Sequence, residues 1–396
     1  FCQSLCWYCG CNSNVTSRRE RISEYLALLC KEILLKRKII SCSRKTAQIH
    51  WGGGSPSYMK MDEIVEMSDL INSQFPRDKD CEVSMEIDPR DLQGYDLDKL
   101  KACGFNRISI GVQDFNTQVL EAVNRNQHEG QVVNIYNAAR EAGFLSVNLD
   151  LIYGLPRQTV DTFSKTIEKV LSLDPDRIAL FNFAYLPDLK PHQRLIKKDQ
   201  LADSGTRLKI FKSAVEMLTG GGYKYIGMDH FAKPGDELSI AQQNNTLTRN
   251  FQGYSTKSGS DVFAFGITGI SQINGVYAQN HKEFDSYSEA VDREEIPVFR
   301  GYILNTDDEI RRHVITRLMC DMRLDFEEVG NKFSVKFSEY FAESLEKLRE
   351  PINDGLLSIK SENIVIEPEG RFFIRNIAMA FDRFLKENFQ LFSQTV

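Results

Sequence analysis

Short runs rich in β-branched and aromatic residues alternate with longer amphipathic stretches through the first two-thirds of this 396-residue chain. No other feature constrains the fold as strongly. The runs predict strands at 47–51, 82–87, 107–112, 147–152, 178–183 and 223–228, with helices at 22–36, 62–73, 97–103, 132–142, 160–171 and 207–218. Ala142-Gly143-Phe144 and Cys103-Gly104 put glycine just past two helical stretches, where a left-handed residue commonly ends a helix. Strands separated by helices pair in parallel, because a parallel pair needs a crossover long enough to hold a helix. The chain is therefore expected to be α/β, with a parallel sheet that is open or closed into a barrel. In such sheets ligands sit at the carboxyl ends of the strands.

The pattern changes near residue 305. Helices are expected at 308–320, 338–348 and 376–387, with a hairpin of 355–359 and 364–366 turning around Glu362-Asn363. Helices followed by a hairpin read as a small, mainly helical, winged-helix-like domain. It shows no basic face, so a structural cap is favoured over DNA binding. The whole chain carries a net charge of −6 with charges mixed along it, which argues against nucleic acid as the main partner. No run of about 18 apolar residues is present, so no membrane span is expected.

Chemistry enters at the amino end. Cys2, Cys6 and Cys9 form C-x3-C-x2-C, and Cys11 follows two positions later. Soft thiolates select zinc, copper(I) or iron–sulfur clusters. Zinc sites usually add a second ligand pair, but Cys30, Cys42, Cys81, Cys103 and Cys320 are scattered singly. Three crowded thiolates can hold three corners of a cubane and leave the fourth iron for a non-protein ligand. No signal-peptide pattern is visible, so reduced thiols and a cytoplasmic location are expected. The loop precedes the first helix, so a further strand is expected just upstream of Phe1.

Other candidate groups fall at strand ends. His50-Trp51-Gly52-Gly53-Gly54-Ser55-Pro56 lacks the dinucleotide spacing and the P-loop lysine, yet its glycines let backbone approach a ligand. Glu86 precedes Asp88-Pro89, where proline stops the strand. Gln113 ends a third strand, and Asn124-Arg125 is expected on the helix after it. Asp150 is an acid inside an apolar strand, costly there unless paired or ligand-bound, with Arg125 as a possible partner.

The cysteine spacing with its Trp7-Tyr8-Cys9 ending resembles the radical S-adenosylmethionine (SAM) superfamily. The wider set resembles one family within it, the oxygen-independent coproporphyrinogen III oxidases. That resemblance rests on Cys9-Gly10-Cys11-Asn12, His50–Gly54, Glu86-Ile87-Asp88-Pro89-Arg90, Gly111–Asn116, Asp150–Pro156, Gly227–Ala232 and Arg249–Tyr254, the last two setting the family apart from its nearest relatives. It implies a partial (β/α)6 barrel in residues 1–304, lacking its first strand and an N-terminal arm, and a substrate-covering domain in residues 305–396. It implies a [4Fe-4S] cluster on Cys2, Cys6 and Cys9, with Cys11 not a ligand. Two SAM molecules are implied, the first near Gly53, Glu86 and Ile270, the second near Tyr8, Gly54, Ser55, Gln113, Arg125, Asp150 and Ala184. Where the superfamily carries an acidic residue after its paired glycines, this chain has Gly54 or Ser55.

The activity implied is oxidative decarboxylation of coproporphyrinogen III to protoporphyrinogen IX in haem synthesis. A 5′-deoxyadenosyl radical would take hydrogen from two propionate side chains. A monomer served by a reducing donor such as flavodoxin or ferredoxin is expected. Arg249, Arg311 and Arg312 are candidates for the propionates, since arginine forks suit carboxylates. A related haem chaperone, which binds haem without oxidase activity, is the alternative. A structural zinc protein with no redox role is the second rival.

Overall fold

The computed structural model describes residues 1–40 and 43–385. Cys42 and the end of the expected helix 376–387 lie outside them. The described residues separate by contact into two units, one of 1–221 with 261–302, the other of 222–260 with residues from 303 onward.

In the first unit the elements run α1 (Arg19–Arg37), β1 (Thr46–Trp51), α2 (Met61–Gln74), β2 (Arg77–Ile87), α3 (Asp96–Ala102), β3 (Arg107–Gln113), α4 (Thr117–Glu121), α5 (Glu129–Glu141), β4 (Ser146–Tyr153), α6 (Val160–Leu173), β5 (Arg177–Asn182) and α7 (Ser204–Gly220). β1 to β5 pair in sequence order and in parallel, as the alternation predicts. Gly104 and Gly143 adopt the left-handed φ of +93° and +73° just past α3 and α5. Polar side chains start other helices: Asn116 accepts from the Gln118 N–H at 2.9 Å, and Thr159 accepts from that of Thr162 at 3.2 Å.

Each central strand has two unlike faces. Val83, Met85 and Ile87, then Ile108, Ile110 and Val112, then Val147, Leu149 and Leu151 are all at most 3 % exposed. Burial of each such side chain contributes about 1.5–3 kcal/mol. The intervening positions are polar and half-buried: His50, Ser84, Glu86, Ser109, Asn148 and Asp150. Register brings them side by side, with His50 opposite Ser84, Glu86 opposite Ser109, and Ser109 opposite Asn148. The side of the sheet bearing these residues is thus a continuous polar surface at the strand ends.

The second unit begins with β6 (Lys224–Gly227) and β7 (His230–Ala232), an antiparallel hairpin. It continues through α8 (Glu237–Gln243) and a second hairpin, β8 (Thr248–Asn250) with β9 (Gly253–Ser255). The first unit then resumes with β10 (Ile270–Ile273), β11 (Val276–Asn280), α9 (Phe284–Asp292) and β12 (Val298–Ile303), whose strands form a small sheet that period-2 patterning did not reveal.

From Thr306 the chain forms α10 (Thr306–Asp321), β13 (Arg323–Asp325), α11 (Phe326–Phe333), α12 (Phe337–Tyr340), α13 (Ala342–Lys347), α14 (Arg349–Asn353), β14 (Leu357–Lys360), β15 (Asn363–Ile366) and α15 (Ile374–Met379). This is the expected mainly helical, winged-helix-like arrangement, with β15 between β13 and β14. Two details differ. The single helix expected at 338–348 breaks at Phe341, whose φ of −106° and ψ of 24° leave the helical region. The hairpin turns on Ser361-Glu362, both with positive φ, rather than on Glu362-Asn363. Among the described residues no helix is long and apolar enough to cross a membrane.

Candidate functional site

The segment from Cys2 to Cys9 has almost no regular structure of its own, and loops at the strand ends brace it. After β3, the Asn124 side chain donates to Leu5 O at 2.8 Å, and Val123 O accepts the Trp7 N–H at 2.9 Å. After β5, His192 Nε2 meets Cys9 O at 2.8 Å, and Gln193 donates to Tyr8 O at 3.2 Å. After β1, the Ser55 N–H donates to Phe1 O at 2.9 Å. A Cβ on Gly54 would sit 2.9 Å from that same oxygen, so this position needs glycine for close approach of the two backbones.

Cys2, Cys6 and Cys9 line a cavity of about 130 Å³ together with Tyr8, Gly54, Ser55, Glu86, Arg125 and Asp150. Nine of the thirteen residues implied by the resemblance thus meet at one place. Gly53 is at its edge, with a φ of +119° and its N–H donating to Glu86 Oε2 at 3.2 Å. Gln113, Ala184 and Ile270 are not in the cavity lining. Gln113 has a φ of +66° where the β3–β4 register slips, a strained conformation for a non-glycine residue. Ala184 follows β5 and accepts from Gln193 Nε2 at 3.0 Å. Ile270 opens β10.

The donor chemistry suits an iron–sulfur cluster. All described cysteines are free thiols. Burial raises the Cys2 thiol to about 11, while a hydrogen bond from Cys11 lowers Cys9 to about 6. Arg90 and Arg125 both direct N–H groups at Cys6 Sγ, at 3.6 and 3.7 Å, as a charged sulfur would require. Among the described residues no three Cys, His, Asp or Glu side chains converge on one ion. A cubane takes one thiolate at each of three separate irons, a donor set that Cys2, Cys6 and Cys9 supply as free thiols.

One expected contact is replaced by another. Arg125 does not pair with Asp150. It lies in the turn after α4, not on the helix, and is 3 % exposed. Its Nη1 donates to Asp88 at 3.2 Å and to the Tyr8 hydroxyl at 3.2 Å, and its Nη2 to Gly111 O at 2.5 Å. Asp88 also takes a two-pronged grip from Arg90, at 2.9 and 2.7 Å. Burial alone would raise the Asp88 pKa; the Arg90 hydrogen bonds and the Arg125 charge outweigh it and hold this carboxyl below its usual range. Asp150 instead accepts from Ser109 Oγ and Asn148 Nδ2, both at 2.7 Å. Burial, helped by the nearby Glu86 charge, pushes its pKa up to about 7.

The supporting residues that sequence reasoning missed are Ser109, Asn148, Arg90, Asp91, His192 and Gln193. Asp91 holds Ser55 Oγ at 2.5 Å. Asn148 shares the face of β4 with Asp150 two residues on, and Ser109 stands opposite Asn148 on β3, a neighbour legible only once strand pairing is known. Of the propionate candidates, Arg311 is engaged by Asp307 at 2.9 Å and by Phe381 O at 3.0 Å, and Arg249 lies 5.9 Å from the Tyr254 ring in the second unit.

Comparison with known proteins identifies the fold and the family. Residues 1–170 match the radical SAM superfamily and residues 304–373 the HemN C-terminal domain. The whole chain is 42% identical to the oxygen-independent coproporphyrinogen III oxidase of Escherichia coli (strain K12), covering 87% of it. It is 44% identical to the protein of that name from Synechocystis sp. (strain ATCC 27184 / PCC 6803 / Kazusa), covering 86%. The solved Escherichia coli radical SAM enzyme coproporphyrinogen III oxidase (HemN) superposes with a TM-score of 0.94 at 43% identity, over 97% of this chain and 88% of that one. The fold is therefore the radical SAM partial barrel with a HemN-type C-terminal domain, and the chain belongs to the family of oxygen-independent coproporphyrinogen III oxidases.

Proposed function

We propose that this chain carries out the oxygen-independent oxidative decarboxylation of coproporphyrinogen III to protoporphyrinogen IX, with Cys2, Cys6 and Cys9 holding the [4Fe-4S] cluster. The observation that carries the reading is the meeting of three free thiols with Tyr8, Glu86, Arg125 and Asp150 around one cavity at the strand ends. When bound, the cluster and SAM supply the electron and the carbon radical that removes a propionate hydrogen. The chain's own part is to bind, orient and exclude water, since cofactors carry the hard chemistry.

Roles follow from the contacts. Glu86 lies between the Gly53 N–H and His50 Nε2, 3.2 and 3.3 Å away, at the end of β2. It is suited to accept hydroxyl or amino groups of the first SAM, near Gly53 and Ile270. Arg125 and Asp150 present opposite charge preferences across the cavity, suited to a zwitterionic amino-acid group of a second SAM. Tyr8, Gly54, Ser55, Gln113 and Ala184 belong to that second site in this reading. Ser109 and Asn148 hold the Asp150 carboxylate by its two oxygens, which fixes its orientation. A low-potential donor of the flavodoxin or ferredoxin kind, a monomeric state and a cytoplasmic location belong to the same proposal.

The relatives carry the oxidase name, which favours oxidation over the haem-chaperone alternative. The test is replacement of Asp150 by alanine in cluster-loaded protein under anaerobic conditions. Retained iron with loss of decarboxylation is the expected result, and unchanged product formation would contradict the second site.

A further inference from the structure

α1 buries two opposite charges on the face it turns inward. Glu32 is fully buried, and Lys36, one turn later, is 5 % exposed. Their Nζ–Oε1 distance is 2.7 Å. A buried pair of this kind is costly unless its remaining lone pairs and protons are matched by further hydrogen bonds. Here they are, and all the partners outside α1 come from one later stretch of the chain. Glu32 accepts from the Gly266 N–H, from Asn280 Nδ2 and from the Tyr287 hydroxyl, each at 2.7 Å. Lys36 donates to Ala264 O at 2.6 Å and to Asn280 Oδ1 at 3.3 Å. Asn280, 1 % exposed, also donates to Gly266 O at 2.8 Å.

Tyr25 lies on the same face of α1, seven and eleven residues before the two charges, and hydrogen-bonds the Ile267 backbone. A Cβ on Gly266, where φ is +86°, would collide with the Tyr25 hydroxyl, so the turn is nested against the helix. Three peptide groups of this turn are thus oriented by α1 side chains and Asn280. Apolar packing would bury the turn but would not fix which way its peptides point. The turn ends at Gly269, and the next residue is Ile270.

We propose that Glu32, Lys36, Asn280 and Tyr287 are positioning residues: they hold the 264–269 turn so that Ile270 is presented to the first SAM. The inference rests on the reading above that Ile270 meets that molecule. It assigns a role in cofactor affinity to charges that lie on a helix outside every sequence motif of the site.

The test uses the reconstituted holoenzyme of Glu32→Ala, Tyr287→Phe, the double variant Glu32→Gln/Lys36→Met, and Ile270→Ala. SAM affinity is read from the change in the electron paramagnetic resonance spectrum of the reduced cluster during titration. The rate at saturating SAM and the iron content are measured alongside. Glu32→Ala should weaken SAM binding by roughly 10–100-fold, the range typical of outer-shell support, with iron content and saturated rate retained. Tyr287→Phe should weaken it less. The double variant, which leaves no unpaired buried charge, should recover most of the affinity.

Unchanged affinity in a cluster-loaded Glu32→Ala protein would overturn the proposal, as would a general loss of iron and rate that the double variant does not restore. If Glu32→Ala does not fold, unchanged affinity in Tyr287→Phe overturns it. Ile270→Ala separates the two layers. If it weakens binding while the network variants do not, the positioning role alone fails. If it leaves affinity unchanged, the assignment of Ile270 fails and the proposal with it.

Discussion

Replacing Asp150 with asparagine should stabilise the protein while inactivating it. Both partners of the Asp150 carboxylate, Ser109 and Asn148, are neutral. Burial with the nearby Glu86 charge lifts its pKa to about 7 from an ordinary value of 3.8. The native state therefore keeps a proton that the unfolded chain loses. Native protein binds more protons than unfolded protein between about pH 4 and 7, so this group's contribution to stability falls as pH rises through that window. The penalty is absent below about pH 4 and complete above about pH 7. Roughly 3 pH units at about 1.4 kcal/mol each give on the order of 4 kcal/mol.

Asparagine at 150 keeps the shape, can accept from Asn148 and donate to Ser109, and has no charge to desolvate. Urea unfolding of the cluster-free protein, wild type against Asp150→Asn, should show the variant more stable by roughly 2–4 kcal/mol at about pH 8. The difference should shrink towards zero near pH 4. Decarboxylation should be lost at every pH. Parallel stability curves for the two proteins, or a variant less stable at pH 8, would refute the reasoning.

Alanine in place of Cys2, Cys6 or Cys9 should each abolish the cluster, checked by iron content after anaerobic reconstitution; full loading of all three variants would contradict the ligand set. Arg125→Leu removes one of the two arginines on Asp88, which keeps its Arg90 pair, and leaves Gly111 O without its donor, so urea unfolding should show a loss of about 1–3 kcal/mol. Ile110→Ala opens a void under the central strand and should cost about 2–5 kcal/mol in the same assay without changing iron content.

The architecture was legible because β/α alternation is a local signal. The central strands β2 to β4 carry alternating or continuous apolar sets, and several helices end at a glycine or begin on a capping side chain, as at Gly104, Gly143 and Thr159. The cysteine claw was legible because its ligands are close in sequence. What was not legible depends on register and on long-range packing. Asp150 is recognisable from the sequence as a buried acid needing a partner, and Arg125 is the partner the sequence suggests. The parallel pairing of β3 with β4 instead supplies Ser109 from the next strand. Arg125 was taken up by Asp88, from the end of β2, because its turn folds back over the strand ends. His192 and Gln193 sit in an irregular loop after β5 and carry no motif, yet they brace the cysteine loop. Glu32 and Lys36 look like a surface ion pair one turn apart on a helix. Only the 264–269 turn, Asn280 of β11 and Tyr287 of α9, far later in the chain, satisfy them in a buried place.

The central claim is tested most directly by one anaerobic assay: the cluster-loaded protein with coproporphyrinogen III, SAM and a low-potential reductant. The expected result is release of carbon dioxide with formation of protoporphyrinogen IX, dependent on SAM and lost in the Cys6→Ala variant. A loaded protein that cleaves SAM or binds haem but leaves coproporphyrinogen III unchanged would contradict it.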